Sequence, residues 1–530
     1  MIMNKFPATI VCIVLLLFIT KAEAQTSSGQ KLDALLQMID YAYVDTSNQE
    51  ALAEAAIKAI LKDLDPHSVY IPAKELKDMN EPLVGKFDGV GIQFNIFEDT
   101  IMVTQTIPGG PSEKIGIRAG DRIVKIDNNA VTGIKITNND VMKKLRGDKG
   151  TKVMVSIYRR GETELLDFEI TRDKIPLFSI DASYMANPET GYIKISRFAD
   201  TTVDEFKAAL GKLKNEGMKS LILDLTGNGG GYLNRAIELA DEFLSDNKKI
   251  VYTEGRTSPK QEFSSSSIGG FEKGKLVILI DENSASASEI VSGAVQDWDR
   301  GLIIGRRSFA KGLVQKPFPL PDGSDVRLTV ARYYTPSGRC IQKSYVEGDE
   351  EYEMDINNRF KHGELYSADS IKFDDSLKFY TDAKRVVYGG GGIMPDIFVP
   401  LDTSMNSKYH NDLIRKSVLY EFALSYTDNN RKNLGTTYPD ILTYRSKFVV
   451  NDKMINDMVA YGEKKGVPKD STGLATSRKL IEVQLKALVA RDLWNTDSYW
   501  QVINDINPFY SKALESLKND TFDKMKIAEK

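Results

Sequence analysis

Apolar residues near the start of the chain recur at helical spacing. Leu32, Leu35, Leu36 and Ile39 form one stripe, and Leu52, Ala55, Ala56, Ala59 and Ile60 form another. Residues 31–80 are therefore predicted to be helical, with a break at Asp65-Pro66. From residue 82 to 171 the pattern shortens to β-rich runs: Gly91–Ile96, Ile101–Thr106, Arg122–Ile126 and Val153–Tyr158. Turns such as Pro108-Gly109-Gly110-Pro111 and Asp127-Asn128-Asn129 separate them. Thr137 to Leu145 reads as one short helix, entered through the capping cluster Thr137, Asn138 and Asn139. The expectation for this stretch is a small β-rich module with one or two helices.

Beyond about residue 176 strands alternate with helices. Ser220–Leu225 and Leu276–Ile280 are apolar runs of buried-strand length. Each is followed by a polar or glycine-rich turn and then a helical stretch, Leu233–Leu244 and Ala285–Trp298. This is the grammar of an α/β domain, whose sites gather at strand ends. Residues 346–385 are polar and carry weak structure signals. Residues 403–530 read as mostly helical, with Ile481, Leu485 and Leu488 as one stripe and Thr476 as its cap, and suit a helical clamp or packing extension. The fold class is a multidomain α/β protein, divided into 25–81, a helical N-terminal region; 82–171, the β-rich module; 172–402, the α/β core; and 403–530, the helical extension.

Composition changes this picture in three places. At 530 residues the chain is too long for one ordinary core, which agrees with several units. A formal net charge of −4 and the lack of a long basic stripe give no reason to expect nucleic acid as a partner. Lys5, the apolar run Ala8–Ile19 and the small-x-small set Ala22-Glu23-Ala24 read as a secretory signal peptide over 1–24, cleaved before Gln25. That run is shorter than the roughly 20 residues a membrane span needs. Cys12 lies inside the signal, so Cys340 would be the mature protein's single thiol. Neither an internal disulfide nor a cysteine zinc site is then expected.

The chemistry-bearing residues cluster in the α/β core. The three histidines, His67, His362 and His410, sit in no hydrolase or zinc motif and are expected to be structural. Ser286 follows the strand Leu276–Ile280 at a strand-to-helix turn. There the N–H of Ala287, at a helix N-terminus, can face a developing oxyanion. A serine- and alanine-rich helix start is more often mere capping. Lys311 lies beyond the strand Leu302–Ile304, and a lysine acts as general base only when neutral. An apolar pocket around Phe309 and Val314 would favour the neutral form, and the Gln315 amide would hold the lysine without adding charge. The turn from Asp224 to Gly231 carries three consecutive glycines that let backbone approach a ligand. It lacks the Gly-Lys-Ser/Thr of a P-loop, and either an oxyanion role or a plain tight turn suits it.

Taken together, these segments resemble the carboxyl-terminal processing peptidases, also called tail-specific serine proteases. The resemblance rests on Ser284-Ala285-Ser286-Ala287-Ser288-Glu289, on Phe309-Ala310-Lys311-Gly312-Leu313-Val314-Gln315 and on Asp224 to Gly231. Supporting matches are Leu64-Asp65-Pro66-His67-Ser68, Tyr334-Thr335-Pro336-Ser337-Gly338 and Gly391-Gly392-Ile393-Met394-Pro395-Asp396. They occur in the family's order between about 31 and 402. The resemblance implies Ser286 as nucleophile, Lys311 as base, Gln315 as the residue orienting the lysine, and N–H groups of Ala287 and of Gly230 or Gly231 as the oxyanion hole. Ala310 stands where the family usually has glycine, and Thr226 where it usually has arginine.

The module at 82–171 resembles the family's PDZ domain through Pro108 to Ile117 and Ala119-Gly120-Asp121. Its loop Gly89-Val90-Gly91-Ile92 would hold a substrate's terminal carboxylate. Val141 and Leu145 are candidate pocket walls, with a place in the core as the equal alternative. The implied protein is an exported, periplasmic endopeptidase that needs no metal or cofactor and cuts proteins near free C-termini. The terminal helical regions would serve any oligomer. The rival reading is a tail-binding adaptor or envelope scaffold that no longer cuts, against which the intact Ser286, Lys311 and Gln315 argue.

Overall fold

The structure, a computed structural model, describes residues 28–527. The expected signal peptide, 1–24, lies outside the described residues. Among them, no helix is long and apolar enough to cross a membrane.

The centre is a six-stranded sheet in the order Ile180–Asn187, Thr190–Ile195, Ser220–Asp224, Leu276–Ile280, Leu302–Gly305, Ile397–Phe398. The first pair is antiparallel and the others are parallel. The run Leu276–Ile280 is wholly apolar because both of its faces are covered. Leu276, Ile278 and Ile280 enter one core with the helices Thr202–Asn215, Leu233–Asp241 and Ala287–Asp297. Val277 and Leu279 point the other way, into a second core. That second core is closed by Phe509, Tyr510, Ala513, Phe522 and Ile527 from the end of the chain. The last helices, Pro508–Lys518 and Thr521–Lys524, thus complete the layer structure of the α/β core.

A five-stranded antiparallel sheet stands beside it, built around Asp325–Tyr334, which pairs with Leu313–Pro319, Lys249–Glu254 and Val69–Ile71. The last pairing amends the expectation of a purely helical N-terminal stretch. After the helices Ser28–Ala42 and Gln49–Lys62, the chain turns at Asp65-Pro66 and Val69–Ile71 becomes an edge strand. The helix Ala73–Val84 follows.

The β-rich module has the strand order Ile92–Phe97, Thr100–Thr106, Arg122–Ile126, Lys152–Tyr158, Leu166–Thr171. Its helix Asn138–Leu145 begins with a capping box between Thr137 and Asp140, as the sequence suggests. Val141 and Leu145 are buried in the module's own core with Val90, Ile101 and Val155. The paired strands Lys86–Gly89 and Asp173–Pro176 join the module to the rest.

The C-terminal helices from Lys408–Arg415 to Thr496–Ile503 surround a separate core. The long helix Ser471–Leu493 is capped by Asp470, whose carboxylate accepts from the N–H groups of Thr472 and Gly473. The expected cap Thr476 lies a turn inside, its hydroxyl bonded to the Thr472 carbonyl, because Asp470 already satisfies the free donors. This region touches the β-rich module through Arg122 and Asp428, 2.9 Å apart, and through Phe97, Met102 and Leu424. The polar stretch 346–385 contains a helix, Asp349–Lys361, and the strand Lys378–Tyr380, which pairs with Val386–Tyr388 just beyond it.

Candidate active site

The strand Leu276–Ile280 ends in a turn that delivers Ser286 to the start of the helix Ala287–Asp297. Ser286 has φ 54° and ψ −110°, a backbone conformation that a residue with a side chain adopts only under constraint. Glu289, three residues on, supplies much of that constraint: its carboxylate accepts the Ser286 N–H at 2.8 Å. The Ser286 carbonyl in turn accepts from the N–H groups of Glu289 and Ile290.

Glu289 also reaches the lysine segment. It accepts the Ser308 hydroxyl at 2.5 Å, the Ala310 N–H at 2.7 Å and the Lys311 N–H at 2.9 Å. Its carboxyl is fully buried, and that burial raises its pKa above the ordinary range while the four donors pull it back, Ser308 most strongly. Ala310 takes the left-handed φ of 77° that glycine adopts without cost, and it is fully buried. Tyr333 closes the arrangement from the neighbouring sheet, its hydroxyl donating to the Lys311 carbonyl at 2.7 Å. Burial lowers the Lys311 pKa below the ordinary lysine value; Glu289 and Asp65 oppose that shift and Arg327 adds to it.

Ser286 and Lys311 line one cavity of about 650 Å³, together with Gly229, Gly230, Gly231, Val314, Gln315 and Tyr333. A side chain on Gly230 would come within 2.9 Å of Ser286 Cβ and 2.8 Å of the Ala285 carbonyl, so only glycine fits against the serine. The Gly230 N–H is engaged by Asn228 Oδ1 at 2.9 Å. Gly231 pairs with Phe198 through the flanking carbonyl of Gly230 and the N–H of Tyr232.

Two expected contacts of Lys311 are replaced by others. The Gln315 amide donates to Thr329 Oγ1 at 3.0 Å, and Thr329 donates to Asp65. No hydrogen bond joins Gln315 to Lys311 among the described residues. Phe309 packs edge-on against Tyr352 with the Lys343 ammonium over its ring, so Leu313, Val314 and Tyr333 supply the cavity's apolar wall in its place. His67 is nearer the chemistry than its sequence setting suggests. Burial foremost, then the charge of Lys311, pushes its pKa down to about 4, and its Nε2 lies 2.8 Å from the Tyr352 hydroxyl. His410 bonds to Gln484 far away, in the helical extension. Glu289, Tyr333 and Tyr352 were given no role by sequence reasoning. Only Glu289 had a signal, the Ser-x-x-Glu spacing of a capping box.

In the β-rich module, Gly91 has φ 75°. The Val90 carbonyl accepts the N–H and hydroxyl of Ser112, and the Gly91 carbonyl accepts the Ile107 N–H. The following strand, Ile92–Phe97, is the sheet's edge.

A serine-bearing turn, a buried lysine and a glycine turn meet in one cavity, and the class to which the chain belongs is the PDZ-containing serine peptidases. Residues 189–352 match peptidase family S41 and residues 89–170 match the PDZ domain. The chain belongs to the carboxy-terminal processing proteases. It is 35% identical over 365 residues to the carboxy-terminal-processing protease of Bartonella bacilliformis, covering 68% of this chain and 81% of that one. It is 29% identical over 406 residues to the carboxy-terminal processing protease CtpB of Bacillus subtilis, covering 76% and 81%. Among solved structures, the photosystem II D1 C-terminal processing protease is similar at 26% identity, covering 71% of this chain and 88% of that one, with a TM-score of 0.35. Residues 409–495 match a family of unknown function.

Proposed function

We propose that Ser286 and Lys311 form the catalytic dyad of an exported endopeptidase that cuts proteins near their C-termini. The observation that carries this reading is the shared carboxylate: Glu289 binds the backbone on both sides, so the two side chains open onto one cavity. Neutral Lys311 takes the proton of Ser286 Oγ as that oxygen attacks a peptide carbonyl. The oxyanion is held by backbone N–H groups of Ala287 and the glycine turn. Gly231 is the better turn donor, because the Gly230 N–H is occupied by Asn228. The lysine then protonates the leaving amine, and water releases the acyl group from Ser286. Gln315 belongs to the wall behind the lysine, where with Thr329 it bridges to Asp65.

Substrate tails dock on the PDZ module. The Val90 and Gly91 carbonyls anchor the loop, which leaves the N–H groups of these two residues for a terminal carboxylate. The edge strand Ile92–Phe97 accepts the tail as an added strand. Val141 and Leu145 shape the groove from beneath, as part of the core under it. Lys5 and the apolar run before Gln25 support export to the periplasm with cleavage after Ala24.

The test is labelling of the purified protein with a fluorophosphonate, followed by mapping of the modified peptide. Modification of Ser286, matched by loss of casein cleavage, is expected. Labelling at another serine, or cleavage that persists after complete modification of Ser286, would reject the dyad.

A further inference from the structure

Gly229–Gly231, the end of the turn that starts at Asp224, line the cavity against Ser286, and the shape of the turn is fixed from behind. Asp224, at the end of the strand Ser220–Asp224, is wholly buried. Its Oδ1 accepts both the N–H and the hydroxyl of Thr226, at 2.8 and 2.6 Å, and its Oδ2 accepts the Tyr192 hydroxyl at 2.5 Å. A buried carboxylate needs donors or a cation, and beside these three donors Asp224 also meets a cation, which does not come from the turn itself. It comes from the neighbouring strand, where Lys194 stands in register with Asp224. Lys194 Nζ lies 3.2 Å from Asp224 Oδ1 and 3.0 Å from both the carbonyl and the hydroxyl of Thr226. The ammonium thus donates two hydrogen bonds to Thr226 while its charge is paired with Asp224.

The lid over this ammonium is Trp500, whose ring centre is 4.6 Å from Nζ. Trp500 belongs to the helix Thr496–Ile503 of the C-terminal extension, and under it only 6% of the Lys194 side chain is exposed. A cation against an indole face, shielded from water, is held more strongly than on an open surface. On the other side, Asn228 passes the fixation to the serine turn: its carbonyl accepts the Ala285 N–H at 3.0 Å and the Ser288 hydroxyl at 2.9 Å. Its amide donates to the carbonyl of Ile195, the residue after Lys194.

We propose that Lys194, covered by Trp500, is a positioning residue that holds the glycine turn in the geometry its oxyanion donor requires. It fixes the Thr226 carbonyl, and with it the peptide planes that lead into Gly227–Gly231. The inference rests on the reading that this turn supplies an oxyanion donor. The C-terminal helices thereby contribute to the active site without touching substrate. The expected signature is in kcat, because oxyanion contacts form in the transition state, whereas ground-state peptide binding, and with it KM, does not use them.

The experiment compares Lys194→Met, Lys194→Arg and the double variant Lys194→Met/Asp224→Asn on a peptide substrate, with thermal unfolding of each. The double variant removes both charges, so it avoids a buried unpaired carboxylate and keeps the fold testable. Lys194→Met should lower kcat at least about tenfold with KM within about threefold. Lys194→Arg should keep a third or more of the kcat. The double variant should recover the unfolding temperature but not the kcat. A kcat within twofold of the parent in Lys194→Met overturns the proposal, as does recovery of kcat together with stability in the double variant. Failure of the dyad itself would show separately, as cleavage by Ser286→Ala in the same assay.

Discussion

Lys311 donates its backbone N–H to Glu289 at 2.9 Å, and the carboxylate oxygen that accepts it also accepts the N–H of Ser286. One buried atom therefore sets the positions of a helix start and of a loop that approaches from a different strand. The arrangement fixes backbone while leaving both side chains to the cavity. It also explains how a strained φ at Ser286 and a left-handed Ala310 persist in the same few ångströms.

Glu289→Gln should disturb this junction more than its small change in size suggests. An amide offers one acceptor oxygen where four donors now converge, and its NH2 faces N–H groups. Each lost charge-assisted bond is worth about 1.5–3 kcal/mol. Urea unfolding should show a loss of more than about 2 kcal/mol, and peptide cleavage should fall by about a hundredfold or more. Parent-like values in both would show that the carboxylate is dispensable.

Lys311→Ala and Ser286→Ala should each abolish cleavage, and the double variant should be hardly worse than either, since the two act as a unit. Lys311→Arg should be equally inactive, because a guanidinium stays protonated near neutral pH. Additive losses in the double variant would contradict a dyad.

Activity should climb with pH as Lys311 loses its proton, with a midpoint below the ordinary lysine value, because burial lowers it. Arg327 is one cause of that lowering, so Arg327→Gln should move the limb to higher pH. Asp65 opposes the lowering, so Asp65→Asn should move it to lower pH. Profiles of kcat/KM against pH check the two directions, and a limb unmoved in both would remove Lys311 as the titrating base.

His67 should add to the loss of stability in acid. Its pKa is about 4 when folded, against 6.5 when free, so the unfolded chain takes up the proton first. The contribution is complete above pH 6.5 and is lost as pH falls from there through 4. After allowance for its partial exposure the effect is about 1–2 kcal/mol. Unfolding of His67→Gln should show a shallower decline over that window, and an unchanged slope would assign the decline to other groups.

A substrate peptide ending in a free carboxylate should be preferred to its amide by about tenfold to a hundredfold in apparent affinity, the worth of one charge-assisted contact. If tail docking also shifts the protease toward an active conformation, turnover should rise as well. Equal cleavage of the two peptides would leave the PDZ module without a carboxylate-reading role.

Local pattern was enough to read the strand Leu276–Ile280, the capped helix after Thr137 and the turns at Ser286 and Gly229–Gly231, since each depends on neighbours in sequence. The same reading assigned Thr476 as a cap and Gln315 as the partner of Lys311. It missed the competing Asp470 and the competing Thr329, the second of which arrives from a paired strand. The helix Asp349–Lys361 was unreadable because its face is set by tertiary partners: Arg359 is buried against the Ser308 carbonyl and Tyr352 against His67.

The order of motifs along the chain and the residue types offered as the candidate dyad are properties of the sequence, fixed by covalent spacing and residue type. What the tertiary structure alone decided is where charge is tolerated. Glu289 can be buried because Ser308, Ala310 and Lys311 converge on it, and Asp224 because Lys194 stands in register beside it under Trp500. Such pairs join residues far apart in the chain, and the free energy that holds them depends on the exclusion of water, which no local pattern records.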